Sequence, residues 1–527
     1  MSEDRDWWRQ GPIYQLLVAS FQDTTDDGFG DLPGVEQRLD YLEWLGARAV
    51  WLSPIYRSPF RELGYDVMDY EDVDPRFGTL DDFDRLLAAA HRRGIKIILD
   101  WVPNHTSDRH AWFRDACSSR GSPHRDWYIW RDAKPDGSVP NNWISIFGGS
   151  VWQWHEPTQR YYLHSFLPSQ PDLNWRKPAV REALHGTLRF WLDRGVDGFR
   201  IDAACLMLKD ERFRDNPPNP DFEAGGPPDA QVLPVHTRNQ PGLHACMAEI
   251  RALVDAYGVG RVLLGELFLP VEDVVTFYGE ARPELHLPLN MSLTSTPWNA
   301  PAFGQAVEDY QRLVPADGWP VTMLGSHDSS RLTVRAPGEQ RRVAAMLALT
   351  QRGTTILYYG EEIGMAGVFI PPERARDPQG RRTGRNRDPE RTPMQWSAER
   401  NAGFSTSSSW LPIGTDYASI NVETQRADLR SLLGLYRRLI ELRRRDPALA
   451  GGTQRTLECE SRLLAYERAA GGRALVVALN FSAEPQRFTL GSKRGRILLS
   501  TFLDREEACG RTLELRGDEG VIIEIAS

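Results

Sequence analysis

The chain has 527 residues, 41% of them apolar and 26% charged, with a formal net charge of -9. That apolar share supports a large core, and the acidic balance excludes a general nucleic-acid binder, which needs a cationic surface. No apolar run reaches the roughly 18 residues of a membrane span, and the polar start MSEDRDWWRQ lacks the basic head and apolar stretch of a secretory signal.

In chain order, Ile13 to Phe21 reads as a strand. A Gly/Asp loop follows, then a helix whose Val35, Leu39, Leu42 and Leu45 recur at helical spacing. Ala49 to Leu52 is a second strand. Thr79 is placed to cap a helix with Asp82 at its third position, and Phe83, Leu86, Leu87 and Ala90 form the buried stripe up to Gly94. Ile95 to Val102 is nearly continuous in apolar residues, as a parallel strand covered on both faces should be.

Residues 105–172, rich in Trp, Gly and Pro, break this rhythm and read as an inserted domain. A helix from Pro178 to Arg194 resumes the alternation, and later strands end near Asp202, Glu266, Asn290, Asp328 and Glu361. Eight strands with helical connections predict a (β/α)8 barrel formed by residues 1–104 and 173–450. Residues 365 to 420 read as a loop excursion, and Leu429 to Arg445 as a final helix. Short alternating runs such as LLAYER and ALVVALNF then predict an antiparallel β-sandwich domain over residues 451–527.

Reactive residues end four of these strands, in DWVPNH (100–105), GFRID (198–202), LLGE (263–266) and GSHD (325–328). Barrel active sites lie at the C-terminal ends of the strands, so these residues converge. In GFRID, alternation points Arg200 and Asp202 the same way, and the cation should keep Asp202 ionised, as a nucleophile requires. Glu266 follows an apolar run that should raise its pKa, which suits a general acid. Those roles are what glycoside hydrolysis with retention demands, with the carboxyl groups about 5–5.5 Å apart. Asp328 would bind sugar hydroxyls and stabilise the cationic transition state, with His105 and His327 donating to the same ring.

These segments resemble the signature regions of the α-amylase family of glycoside hydrolases (family 13) over nearly the whole chain. The resemblance implies Asp202 as nucleophile, Glu266 as acid/base and Asp328 as transition-state stabiliser, with Arg200, His105 and His327 in support. QPDLNW (170–175) and RDPERTPMQW (387–396) are similar to motifs of the oligo-1,6-glucosidase and α-glucosidase branch. By that likeness Arg387 closes the glucose pocket, Tyr65 of GYDVMDY is the platform under the sugar, and Phe147 and Phe166 are pocket aromatics. Glu62 stands where the family usually has Asp. Ala203, a small residue after the nucleophile, resembles α-1,4-preferring members; valine there marks α-1,6-preferring ones.

In DTTDDGFGD (23–31), oxygen-bearing side chains recur at Asp23, Thr25, Asp27 and Asp31, with a carbonyl at Phe29. That alternation suits a hard cation, Ca2+ or Mg2+, in a structural role, and it resembles the branch's first-loop metal site. No organic cofactor is expected, since no P-loop or dinucleotide fingerprint stands in a fitting context, and no zinc pattern is present. The five scattered cysteines, with no CxxC pair, read as reduced thiols in a cytoplasmic enzyme, monomer or homodimer. The expected activity is a retaining, exo-acting α-glucosidase on short, maltose-like α-glucosides. The alternatives are an oligo-1,6-glucosidase, or a glucosyltransferase or isomerase of trehalose synthase or sucrose isomerase type. A non-catalytic amylase-like protein fits poorly with three acids in place.

Overall fold

A computed structural model describes residues 5–460 and 462–525. Eight parallel strands form one sheet: β1 (Ile13–Leu16), β2 (Ala49–Leu52), β3 (Lys96–Trp101), β4 (Gly198–Ile201), β5 (Val262–Leu267), β6 (Leu287–Asn290), β7 (Val321–Met323) and β8 (Thr354–Tyr358). Their order is β6-β5-β4-β3-β2-β1-β8-β7, and β6 lies against β7 to complete the round. The predicted barrel is therefore present. Its lower interior is filled from alternate strand positions, among them Ile13, Trp51, Ile98, Leu264, Leu289, Met323 and Ile356, with Trp8 and Trp319 below. The same two-residue period continues upward to Asp100, Arg200 and Glu266, so the polar layer sits directly above the apolar one.

Several boundaries differ from expectation. β1 stops at Leu16, and Val18–Ser20 forms a 3-10 turn instead of strand. Gly30 packs on that turn so closely that a Cβ would meet the Val18 carbonyl oxygen at 2.1 Å. The predicted helix through Val35 and Leu45 is two helices, Leu32–Gln37 and Leu39–Leu45. It breaks at Arg38, whose guanidinium is drawn to Gln22 Oε1 (Nε at 2.8 Å) and lies 4.1 Å from the Trp396 ring. The final helix begins at Leu432 with Ser431 as its cap, because Leu429 is exposed and outside it. The Thr79–Asp82 capping box is formed as read.

Within 105–172, a three-stranded antiparallel sheet joins Trp130–Arg131, Arg160–Leu163 and Trp152–His155. After Gly451, six strands form one antiparallel sheet and Gln486–Thr489 pairs with Thr512–Leu515 in another. Leu463, Val476, Phe488, Leu513 and Val521 pack in the core between them. Among the described residues no helix is long and apolar enough to cross a membrane.

Candidate active site

The upper layer of the barrel gathers three carboxylates on one guanidinium. Arg200 Nη1 lies 2.7 Å from Asp100 Oδ1 and 2.8 Å from Asp202 Oδ1, and Nη2 pairs with Glu266. Side-chain exposure rises from 0% at Asp100 to 9% at Asp202 and 23% at Asp328. Asp100 is thus an anchor beneath the site, held by Trp51 Nε1 and Tyr65 Oη as well as Arg200.

Arg200 does not by itself set the charge on Asp202, as the spacing suggested. Burial pushes Asp202 well above the ordinary carboxylate range; Arg200 opposes this, while Glu266, Asp100 and Asp328 add to it. Burial also raises Glu266, against Arg200. One cation divided among three acids leaves a group that retains a proton more readily than an isolated carboxyl.

Asp328 lies on an irregular segment five residues past the end of β7, where its N–H donates to Ser326 Oγ. Gly325 is required there, since a Cβ would sit 2.1 Å from Glu361 Oε1. Burial would raise Asp328, but His327, Arg387, Arg391 and Arg200 together hold it well below the usual range. Arg387 Nη1 is 2.8 Å and Arg391 Nη2 2.7 Å from Asp328 Oδ1. Arg387 also pairs with Glu62 at 2.7 Å and Asp377 at 2.7 Å, and its guanidinium lies 5.1 Å from the Phe147 ring. Glu62 therefore reaches the pocket despite replacing the family's aspartate. Its carboxyl is raised by burial, partly offset by Arg387 and Arg391.

Tyr65 and His327 stack with ring centroids 5.6 Å apart and an interplanar angle of 6°. Burial lowers His327 to about 3 and His105 to about 4, so both imidazoles are neutral near pH 7. Gln15 Nε2 lies 2.7 Å from His327 Nδ1, which leaves Nε2–H for Tyr65 Oη (2.9 Å) and Asp328 (3.1 Å). His105 Nε2 donates to the Tyr65 carbonyl at 3.0 Å. Phe166 lies 5.1 Å from His105 and 5.5 Å from Phe147, ring to ring. Ala203 is buried in the left-handed region at φ +46°, and its N–H donates to Glu266 Oε2 at 3.0 Å.

These groups surround a cavity of about 240 Å³. Asp202, Glu266, Asp328, Glu62 and Arg387 line it, as do Tyr65, His105, His327, Phe147 and Phe166. Arg200 and Ala203 stand behind its wall. Sequence reasoning missed Asp100, Gln170 and Arg391, although all three lie in motifs it quoted. It also missed Asp229, Arg238, Phe268 and Gln379, which line the cavity's other side. Asp229 and Arg238 are paired at 2.7 Å, and they come from a stretch without helical or strand periodicity. The helix Pro378–Thr383 brings Gln379 to the rim, and its Arg382 donates to the carbonyls of Phe147 (3.1 Å) and Gly148 (2.9 Å).

The loop at 23–31 lies apart from this cavity. Its donors are all oxygen, the chemistry a hard cation takes. Asp23 accepts from the N–H groups of Thr25, Asp26 and Gly28 and from Ser405 Oγ. Asp31 accepts from Thr24 and caps the next helix through Gly34 N, and Asp27 accepts from Phe29 N. Among the described residues no three His, Cys, Asp or Glu side chains are grouped to hold a metal. Cation ligation would thus lean on Thr25 and the Phe29 carbonyl as well.

Residues 15–452 match the family model for the α-amylase catalytic domain. A probable α-glucosidase of Rhizobium meliloti (strain 1021) is 39% identical, with 96% of each chain covered. The oligo-1,6-glucosidase of Parageobacillus thermoglucosidasius is 35% identical, again with 96% of each chain covered. The crystal structure of the α-glucosyl transfer enzyme XgtA superposes with a TM-score of 0.93 at 35% identity, over 99% of each chain. Barrel, carboxylate group and these likenesses agree: the chain belongs to the α-amylase family and is a glycoside hydrolase of that family.

Proposed function

We propose that the protein is a retaining, exo-acting α-glucosidase that releases terminal glucose from short α-glucosides, with α-1,4 linkages preferred. The observation that carries this reading is the end wall made by Glu62, Arg387 and Asp328 beside the Asp202–Glu266 pair. An ion-paired wall stops a chain from passing through, so a sugar enters by its terminal residue. In this reading Asp328 and His327 hold its hydroxyls over Tyr65. Glu266 protonates the departing oxygen, while Asp202 attacks the anomeric carbon to form a β-glucosyl ester. Glu266, now ionised, takes a proton from water, whose oxygen displaces Asp202 and yields α-glucose. Asp100 and Arg200 position the pair.

The test is a panel of maltose, isomaltose, sucrose, trehalose, maltotriose and starch, with products separated over time and the first-formed anomer read by NMR. Maltose turned over faster than isomaltose, with α-glucose released first, is expected. β-Glucose as first product overturns retention, and faster isomaltose turnover overturns the linkage preference.

A second reading, glucosyl transfer, is favoured by the likeness to XgtA. It differs only in which hydroxyl attacks the ester, and products at high maltose concentration separate the two. For the loop at 23–31 we propose a structural Ca2+ or Mg2+ held by Asp23, Thr25, Asp27, Asp31 and the Phe29 carbonyl. The cation would supply charge compensation there, and chelation should lower the melting temperature. The wide scatter of the cysteines along the chain, with no CxxC pair, supports a reducing, cytoplasmic setting.

A further inference from the structure

A second cleft, of about 350 Å³, opens where the inserted segment meets the excursion after β4. It shares no lining residue with the sugar pocket. Five cations line it, Arg125, Arg131, Arg160, Arg176 and Lys209, against the acids Asp126 and Glu211. Three of the cations are matched: Arg160 by Asp132 at 2.8 Å, Arg176 by Glu211 at 2.7 Å, and Lys209 by Asp172 at 2.7 Å. Asp126 is taken by Lys177.

Arg125 and Arg131 are different. Among the described residues neither has a carboxylate within ion-pair distance. Arg125 donates to the Ala116 carbonyl (2.9 Å) and Thr158 Oγ1 (3.1 Å), and Arg131 to the Trp130 carbonyl (3.1 Å). Each guanidinium lies over a ring, Arg125 at 3.3 Å from the Trp130 centroid and Arg131 at 3.6 Å from that of Phe213. Arg125 and Trp130 are 7% and 5% exposed, yet Arg125 Nε and Trp130 Nε1 find no hydrogen-bond acceptor among the described residues. Buried donors are ordinarily paired, and buried cations ordinarily have an anion.

We propose that this cleft binds an oxyanion of the phosphate class, free or carried on a sugar. Guanidinium forks suit phosphate oxygens, and the partly exposed Phe213 ring at the cleft suits the C–H face of a sugar ring. The test titrates the full-length protein with inorganic phosphate and, separately, with glucose 6-phosphate, by calorimetry and tryptophan fluorescence. Saturable binding is expected, weakened roughly tenfold by Arg131→Gln and by Arg176→Gln, and unchanged by Arg387→Gln. Both cleft positions are partly exposed, so the variants should keep the parent melting temperature. Tighter binding of the hexose phosphate assigns a sugar-borne anion; equal affinities assign free phosphate. No saturable binding of either probe overturns the proposal. So does loss of binding in Arg387→Gln but not in the cleft variants, which would put the anion in the sugar pocket.

Discussion

Among the described residues, two groups of buried acids at the upper end of the barrel differ in access: one lines the sugar cavity and the other does not. Asp202, just after β4, and Glu266, within β5, face the pocket and share Arg200 with Asp100. Glu361 and Glu362, just after β8, are sealed instead: Glu362 Oε1 accepts from Tyr14 Oη at 2.6 Å and Tyr41 Oη at 2.7 Å. Burial raises Glu361 to about 8, and it raises Glu362 as well. A strand-end acid with a raised pKa is therefore not a sufficient mark of chemistry. Access and a poised neighbour make the difference.

The sharpest way to break that contrast is Asp202→Asn. Maltose turnover should fall by at least about a thousandfold, while the melting temperature holds or rises because one of three crowded acids is neutralised. Turnover within tenfold of the parent would remove Asp202 as nucleophile. Arg387→Met should come next. It strips the shared cation from Glu62, Asp328 and Asp377, costing about 3–5 kcal/mol in chemical unfolding. Asp328 is depressed in the parent, so the acid limb of kcat/KM should move to higher pH in this variant; an unmoved limb would contradict the assignment.

Glu361→Gln probes the sealed group. The folded protein keeps a proton on Glu361 up to about pH 8, whereas an unfolded chain releases it near 4.5. Its stabilising effect is thus full below that lower value and is lost as pH rises through about 8. Melting temperatures between about pH 5 and 9 should decline less steeply in the variant, with turnover little changed. A parallel loss of turnover would move Glu361 into the catalytic group. The smallest effect is expected from Ala203→Val. A β-branched residue at φ +46° should cost about 1–3 kcal/mol and slow maltose relative to isomaltose; an unchanged ratio would sever Ala203 from linkage choice.

Much of the barrel was legible because its signals are local. The Thr79–Asp82 box and the greasy run of β3 each depend on a few adjacent residues. Asp202 was legible because alternation along a strand carries side-chain direction, and Glu266 because barrel chemistry gathers at strand ends; Asp328, on an irregular segment past β7, was legible through the family's GSHD-like signature. What was lost depended on partners distant in sequence. The break at Arg38 needs Gln22 and Trp396, and the divided loyalty of Arg200 needs Asp100 from another strand. Asp229 and Arg238 reach the cavity from a segment whose shape is set by the insert, where Asn142 N and Trp143 Nε1 donate to Asp215 and Arg214. No periodicity announces such a segment.

The clasp of Arg382 on the insert has a consequence for how the pocket can vary. Its hydrogen bonds end on the main-chain oxygens of Phe147 and Gly148, not on side chains. The roof is thus fastened by atoms every residue possesses. A different side chain at position 147 would recast what the mouth admits without removing the acceptors on which the fastening depends.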